Sequence, residues 1–122
     1  MEQEEIKMMI LDGARAPQHI NGVYKLYASI SGRVLPRCGA KIPAGFMMKI
    51  PSCYFGKIQR TRIKKLGGVV DSDYRGEVCV LVYNDTDREF VYEKGDEVGE
   101  MAVCKIATPE IRDVSSNEAS LQ

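Results

Sequence analysis

The chain has a single histidine, His19, no tryptophan, and no excess of either charge: 17 Lys plus Arg stand against 17 Asp plus Glu. Each scarcity excludes something. A neutral chain does not coat nucleic acid or an anionic membrane by bulk charge, so any such contact has to be local. One histidine, in a polar and turn-like stretch, argues against a Ser-His-Asp triad and against a cysteine nucleophile that would need it as base. The four cysteines, Cys38, Cys53, Cys79 and Cys104, include no CxxC pair, so they do not make a zinc site. They lie in apolar, strand-like segments and read as small core hydrophobes of a protein kept in a reducing compartment. No apolar run is long enough to span a bilayer. The start, MEQEEIKMM, is acidic where a signal peptide would be basic and then apolar. The expected location is the cytoplasm or nucleus, with no membrane partner.

What is present is globular and short: 122 residues, 44% hydrophobic and 28% charged, enough for one domain. Glycine and proline recur at intervals too short for helices, and the runs between them are rich in β-branched and aromatic residues. Val23 to Ile30, Phe46 to Ile50, Cys53 to Ile58, Val78 to Tyr83, Glu89 to Tyr92 and Val98 to Ile106 are the expected strands. Both alternating faces of Val78 to Tyr83 are apolar, which predicts a strand held between two layers. The fold class is therefore all-β, a small sandwich or barrel. Near the N-terminus, Ile6, Met9 and Ile10 fit helical spacing, and a strand pairing with another chain fits equally well. The tail is mostly polar after Pro109. The expected organisation is one β domain over 1–111 and a polar C-terminal tail over 112–122.

The most informative stretch is Leu66 to Asn84, LGGVVDSDYRGEVCVLVYN. Gly67 and Gly68 allow a close backbone approach, Val69 and Val70 lead into a turn carrying Asp71, Asp73 and Tyr74, and Gly76 closes it. This pattern predicts a β-hairpin with polar groups at its tip. Such a hairpin can offer backbone N–H and C=O groups to a planar base while an aromatic ring packs on the sugar; the bland alternative is a solvated acidic turn. Lys57, Arg60, Arg62, Lys64 and Lys65 form a cluster of cations with no acid between them. A solvated strand edge is the preferred reading of that cluster, with a local phosphate or RNA contact as the minority one. Lys94-Gly95-Asp96 reads as a turn before the last long strand, and Met47, Met48 and Met101 as core filler.

GGVVDSDYRGEVCVLVYN resembles the third motif of the trimeric dUTPases, the enzymes that split dUTP into dUMP and pyrophosphate. The likeness extends to IPAGFMMKIPSCYFGKI before the family's second motif, to YEKGDEVGEMAVCKIATPEI at the fourth, and to VYKLYASI at the first. It covers roughly residues 20–111 and implies a jelly-roll-like β fold, a homotrimer with shared active sites, and Mg2+ across the phosphates of an active member. Residue by residue, it makes Asp71 the carboxylate that orients the attacking water, Tyr74 the ring packed on the deoxyribose, and Gly67, Gly68 and Val69 the backbone that reads uracil.

The same resemblance exposes departures. Lys25 stands where the first motif has an acid, and Glu100 where the fourth has a phosphate-facing glutamine. Arg60-Thr61-Arg62 replaces Arg-Ser-Gly in the second motif, followed by a shortened link to Leu66; these three residues are the candidate phosphate binders. The tail carries no glycine-rich fifth motif. No metal ligand is assigned. The expectation is thus a degenerate dUTPase-like protein, catalytically weak or inactive, that binds a uracil nucleotide or a protein partner as a regulatory module. The alternative is an active minimal dUTP diphosphatase using Asp71-activated water and Mg2+.

Overall fold

The structure is a computed structural model that describes residues 4–122. Twelve strands account for nearly all its regular structure. They are β1 (Lys7–Ile10), β2 (Gln18–Ile20), β3 (Val23–Tyr27), β4 (Gly32–Val34), β5 (Gly39–Pro43) and β6 (Phe46–Lys49). There follow β7 (Tyr54–Gln59), β8 (Lys64–Lys65), β9 (Val69–Val70), β10 (Cys79–Tyr83), β11 (Phe90–Tyr92) and β12 (Glu97–Lys105). A short 3-10 helix, Glu118–Leu121, lies near the end. The strands form a five-stranded sheet in the order β2-β3-β12-β7-β9, a three-stranded sheet β5-β10-β8, and two ribbons, β1-β6 and β4-β11. The expected all-β architecture is present as packed, sandwich-like sheets rather than a closed barrel.

The core lies between these sheets. Leu26, Phe46, Ile58, Val80, Val82, Val98 and Met101 are all at most 2% exposed. Each such side chain contributes roughly 1.5–3 kcal/mol by leaving water. Of the methionines expected inside, Met48 and Met101 are buried and Met47 is half-buried. Gly45 joins β5 to β6 at φ +75°, and a Cβ there would come within 2.5 Å of the Ala14 side chain, so only glycine fits. Its amide donates to the Glu77 carboxylate at 2.9 Å.

Several expectations need correction. The N-terminal segment is a strand, and its hydrogen-bonded partner is β6 of the same chain. His19 lies in β2, stacked on Tyr24 at 4.5 Å, rather than in a turn. The cysteines are not core residues: Cys38 is exposed and the other three are half-buried. Strand β10 has only one buried face, Val80 and Val82, while Leu81 on the other is 37% exposed. Finally, β9 and β10 do not pair as a hairpin. β9 bonds to β7, Val70 facing Gly56 and Val69 facing Lys57, whereas β10 takes β8 and β5 as neighbours. The glycines let the chain cross from one sheet to the other between β8 and β9, so the loop spans two layers instead of folding back on itself.

Candidate functional site

Two clusters gather the residues singled out by sequence. The first is built on β12, the longest strand, which runs between β3 and β7. Its register sets Glu100 directly opposite Lys25 on one side and Gln59 on the other. A bulge between Glu97 and Gly99 inserts one extra residue against β3. In a regular strand Glu97 and Glu100, three apart, would face opposite sides; the bulge lets both reach Lys25. Lys25 Nζ donates to Glu100 Oε1 at 3.2 Å and lies 3.6 Å from Glu97 Oε2. Gln59 Nε2 donates to Glu100 Oε2 at 2.9 Å, and Arg60 Nε stands 3.9 Å away.

Glu100 is only 3% exposed, so its charge depends on these partners. The Gln59 hydrogen bond, with Lys25 and Arg60, holds its carboxyl below the ordinary value against the opposing effect of burial. The hydrogen bond to Glu100, reinforced by Glu97, raises the Lys25 ammonium above its ordinary value. The two departures seen in sequence are therefore one ion pair.

The remaining second-motif residues surround this pair. Arg60 turns the chain after β7 at φ 53°, in the left-handed region. Thr61 Oγ1 donates to Ile63 O at 2.6 Å, which commits the hydroxyl proton of this candidate phosphate binder. Arg62 Nη1 lies 3.9 Å from Asp96 Oδ2, and its guanidinium sits 5.2 Å over the Phe90 ring.

The second cluster is a pocket of about 260 Å³. Val69, Asp71 and Tyr74 line it together with Lys41, Cys79 and Leu81, while Gly67 and Gly68 do not. Asp71 O accepts from Tyr74 N at 3.1 Å, which closes the turn. Tyr74 Oη donates to Glu77 O at 2.8 Å, and its ring leaves no room for a side chain at position 76. Gly68 sits beneath: its carbonyl accepts from Ile58 N at 2.6 Å, and a Cβ on it would fall 2.8 Å from Ile58 O. Gly67 packs near Leu81. Burial first, then Glu77, pushes the Cys79 thiol up, while Lys41 pulls it down. None of Lys25, Arg60, Thr61, Arg62 or Glu100 lines this pocket.

Sequence reasoning missed Gln59, Glu97 and Lys41. Gln59 and Lys41 owe their roles to strand partners on distant segments, which one sequence does not show. The Val98-Gly99 step within a strand was the available hint of the bulge that recruits Glu97.

A magnesium ion among phosphates needs oxygen ligands that are not already neutralised. The Lys25 cluster does not fit one, because an ammonium stands at its centre and engages both carboxylates. Among the described residues, no group of three His, Cys, Asp or Glu side chains converges to hold a metal ion.

Known proteins resemble this chain in sequence and in fold. The dUTPase family model matches residues 23–121. The deoxyuridine 5'-triphosphate nucleotidohydrolase of Fowlpox virus (strain NVSL) is 34% identical over 102 residues, covering 78% of this chain and 70% of its own. Its counterpart from Paramecium bursaria Chlorella virus 1 is 32% identical over 92 residues, 69% of this chain and 65% of its own. The chain thus spans about two thirds of the length of these relatives. In three dimensions, a point-mutant dUTPase from phage phi11 of S. aureus, described for its coordination of a structural Mg(II) ion, gives a TM-score of 0.82 at 17% identity. That match covers 93% of this chain and 99% of the phage chain. The family model and the sequence relatives agree with the motifs, and the structural neighbour shares the fold: the chain belongs to the dUTPase family.

Proposed function

We propose that this protein keeps the uracil-nucleotide pocket of a dUTPase and has lost its phosphate-handling half, so that it acts as a weak nucleotide binder or protein-interaction module with little or no turnover. The observation that carries this reading is the Lys25–Glu100 pair, with Glu100 buried and Lys25 engaged by two carboxylates. The ammonium that would attract a triphosphate on that face is already engaged by Glu97 and Glu100, so little of its charge is left to hold the phosphates. The Asp71 pocket holds an exposed carboxylate able to orient a water and a ring for the sugar. These groups suffice to hold a nucleoside without completing the reaction.

A homotrimer suits the arrangement, since the two clusters share no lining residue in one chain and neighbouring subunits would have to bring them together. Sedimentation of the purified protein tests this. No helix among the described residues is long and apolar enough to cross a membrane. A cytoplasmic or nuclear location belongs to the same proposal.

The second reading is an active dUTP diphosphatase, favoured by Asp71 and Tyr74 lining one pocket. Pyrophosphate release from dUTP and Mg2+ separates the two, with Asp71→Asn as control. Turnover at a rate ordinary for enzymes and abolished by that substitution overturns the first reading. Saturable binding of a non-hydrolysable dUTP analogue without turnover supports it, and no binding at millimolar ligand leaves only the protein-interaction role.

A further inference from the structure

Recognition of a base in the Asp71 pocket needs side chains that hydrogen-bond to its edge, and half of the polar ones there are already engaged. Tyr74 Oη donates to Glu77 O at 2.8 Å, and the Cys79 thiol donates to the same carbonyl with Sγ at 3.7 Å. That leaves Asp71, which as a carboxylate only accepts, and Lys41, which only donates. Among the described residues no carboxylate pairs with the Lys41 ammonium. The two free groups stand at opposite ends of the pocket. Asp71 and Tyr74 belong to the turn that follows β9, whereas the register of β5 on β10 sets Lys41 opposite Leu81. Leu81 lies two residues, about 7 Å, further along β10 from that turn than Cys79. All three share the open face of this sheet, because Ile42, Val80 and Val82 on the other face are buried in the core.

A nucleoside with its sugar on Tyr74 and a hydroxyl at Asp71 lays its base along Cys79 and Leu81, and the edge furthest from the sugar meets Lys41. We infer that Lys41 is a specificity-determining residue: it donates a hydrogen bond to the C4 carbonyl of a pyrimidine, so that the pocket takes uracil and turns cytosine away. This rests on the nucleotide reading of the pocket. In a pyrimidine nucleoside the C2 carbonyl adjoins the bond to the sugar, while C4 lies on the far edge, where the ammonium stands. Uracil carries an oxygen acceptor there. Cytosine carries an amino group, which an ammonium, having no acceptor, can only oppose. Burial, then Glu77, raises the Cys79 thiol and Lys41 opposes both, so the charge is already felt at this wall of the pocket. Lys41 also sits on an edge strand, where an exposed lysine discourages pairing with other sheets. That role is indifferent to which base is bound.

The probes are deoxyuridine, deoxycytidine and their 5'-monophosphates, titrated calorimetrically into the full chain. None carries a triphosphate, so turnover does not interfere. The parent should prefer the uracil compound of each pair. Lys41→Met keeps the stem and removes the ammonium: uracil affinity should fall by about tenfold while cytosine affinity holds or rises, which collapses the preference. Lys41→Arg keeps a donor and should retain most of it. The position is exposed, and circular dichroism checks that both variants fold. A preference that survives Lys41→Met overturns the inference. An equal loss for both bases also overturns it, since the ammonium would then be on the shared C2 carbonyl, as does a loss confined to the monophosphates, which would put it on phosphate. A parent that binds these compounds without preference sinks the inference and leaves the pocket reading standing. A parent that binds none of them at millimolar concentration overturns the pocket reading, and the role of Lys41 with it.

Discussion

Replacing Glu100 with glutamine isolates the charge in the Lys25 cluster, because glutamine keeps the shape and an acceptor oxygen. Two hydrogen bonds to the carboxylate, from Gln59 at 2.9 Å and Lys25 at 3.2 Å, lose its charge: the glutamine oxygen accepts from Lys25, and Gln59 has to turn its amide so that its own oxygen accepts from the new NH2. Bonds to charged groups are worth about 1.5–3 kcal/mol and neutral ones about 0.5–1.5, so the pair loses roughly 2 kcal/mol. Relief of the carboxylate's desolvation returns part of that, leaving a net cost of about 1 kcal/mol. With an unfolding entropy of about 2.1 cal/mol/K per residue, a chain of this length should melt about 4 °C lower. Glu100→Ala leaves the donors without any acceptor and should cost about 3 kcal/mol, roughly 12 °C.

The pH dependence gives a sharper test. The folded-state pKa of Glu100 lies below its ordinary 4.5, so its contribution is fully present above that value and is lost as pH falls through the lower, folded one. The melting difference between parent and Glu100→Gln should therefore be constant from neutral pH to about 5 and shrink below 4.5. Differential scanning calorimetry at pH 7 and at stepped acidic values measures both effects. A glutamine variant that melts at or above the parent at pH 7, or a gap that does not narrow with acid, would refute the claim that this pair stabilises the fold as an ion pair.

Lys25→Asp combined with Glu100→Gln restores the charges expected from the family's first and fourth motifs, and pyrophosphate release from dUTP should rise by about tenfold or more over the parent. No rise would place the loss elsewhere, in Arg60-Thr61-Arg62 or the short link that follows. Gly68→Ala drives a methyl group toward Ile58 O, 2.8 Å away, and should cost about 1–3 kcal/mol while weakening analogue binding, read by chemical denaturation and titration. Stability unchanged in that variant would mean that β7 and β9 part easily.

Short runs rich in β-branched and aromatic residues between glycine and proline breaks, at 23–30, 78–83 and 98–106, announced β3, β10 and β12. β5 was not legible: Gly39-Ala40-Lys41-Ile42-Pro43 has the composition of a turn and is a strand only because β10 pairs with it. β8 and β9, two residues each, are likewise defined by their neighbours. The proximity of three pocket residues follows from their closeness in the chain, whereas Lys41 comes from β5 and has no such signal. Val69, Asp71 and Tyr74 lie within six residues, and local turn geometry suffices to gather them. The Lys25 cluster joins positions 75 apart through sheet register, which no local pattern encodes.

That register also changes how the departures from the family pattern are weighed. Lys25 and Glu100 face each other across β3 and β12, so their substitutions form one coupled change instead of two independent losses. From the family's acid opposite glutamine, there are two single steps. Placing glutamate first would set two carboxylates on directly opposed positions, one of them nearly buried, and each would raise the other's pKa. Placing lysine first sets an ammonium opposite an amide whose oxygen can accept from it, with Glu97 already within 3.6 Å to balance the charge. The lysine then favours glutamate over glutamine opposite it, because a carboxylate gains a charged partner where an amide gains only a hydrogen bond. On this argument Lys25 and Glu100 are coupled, so reverting either one alone should destabilise the sheet more than reverting both.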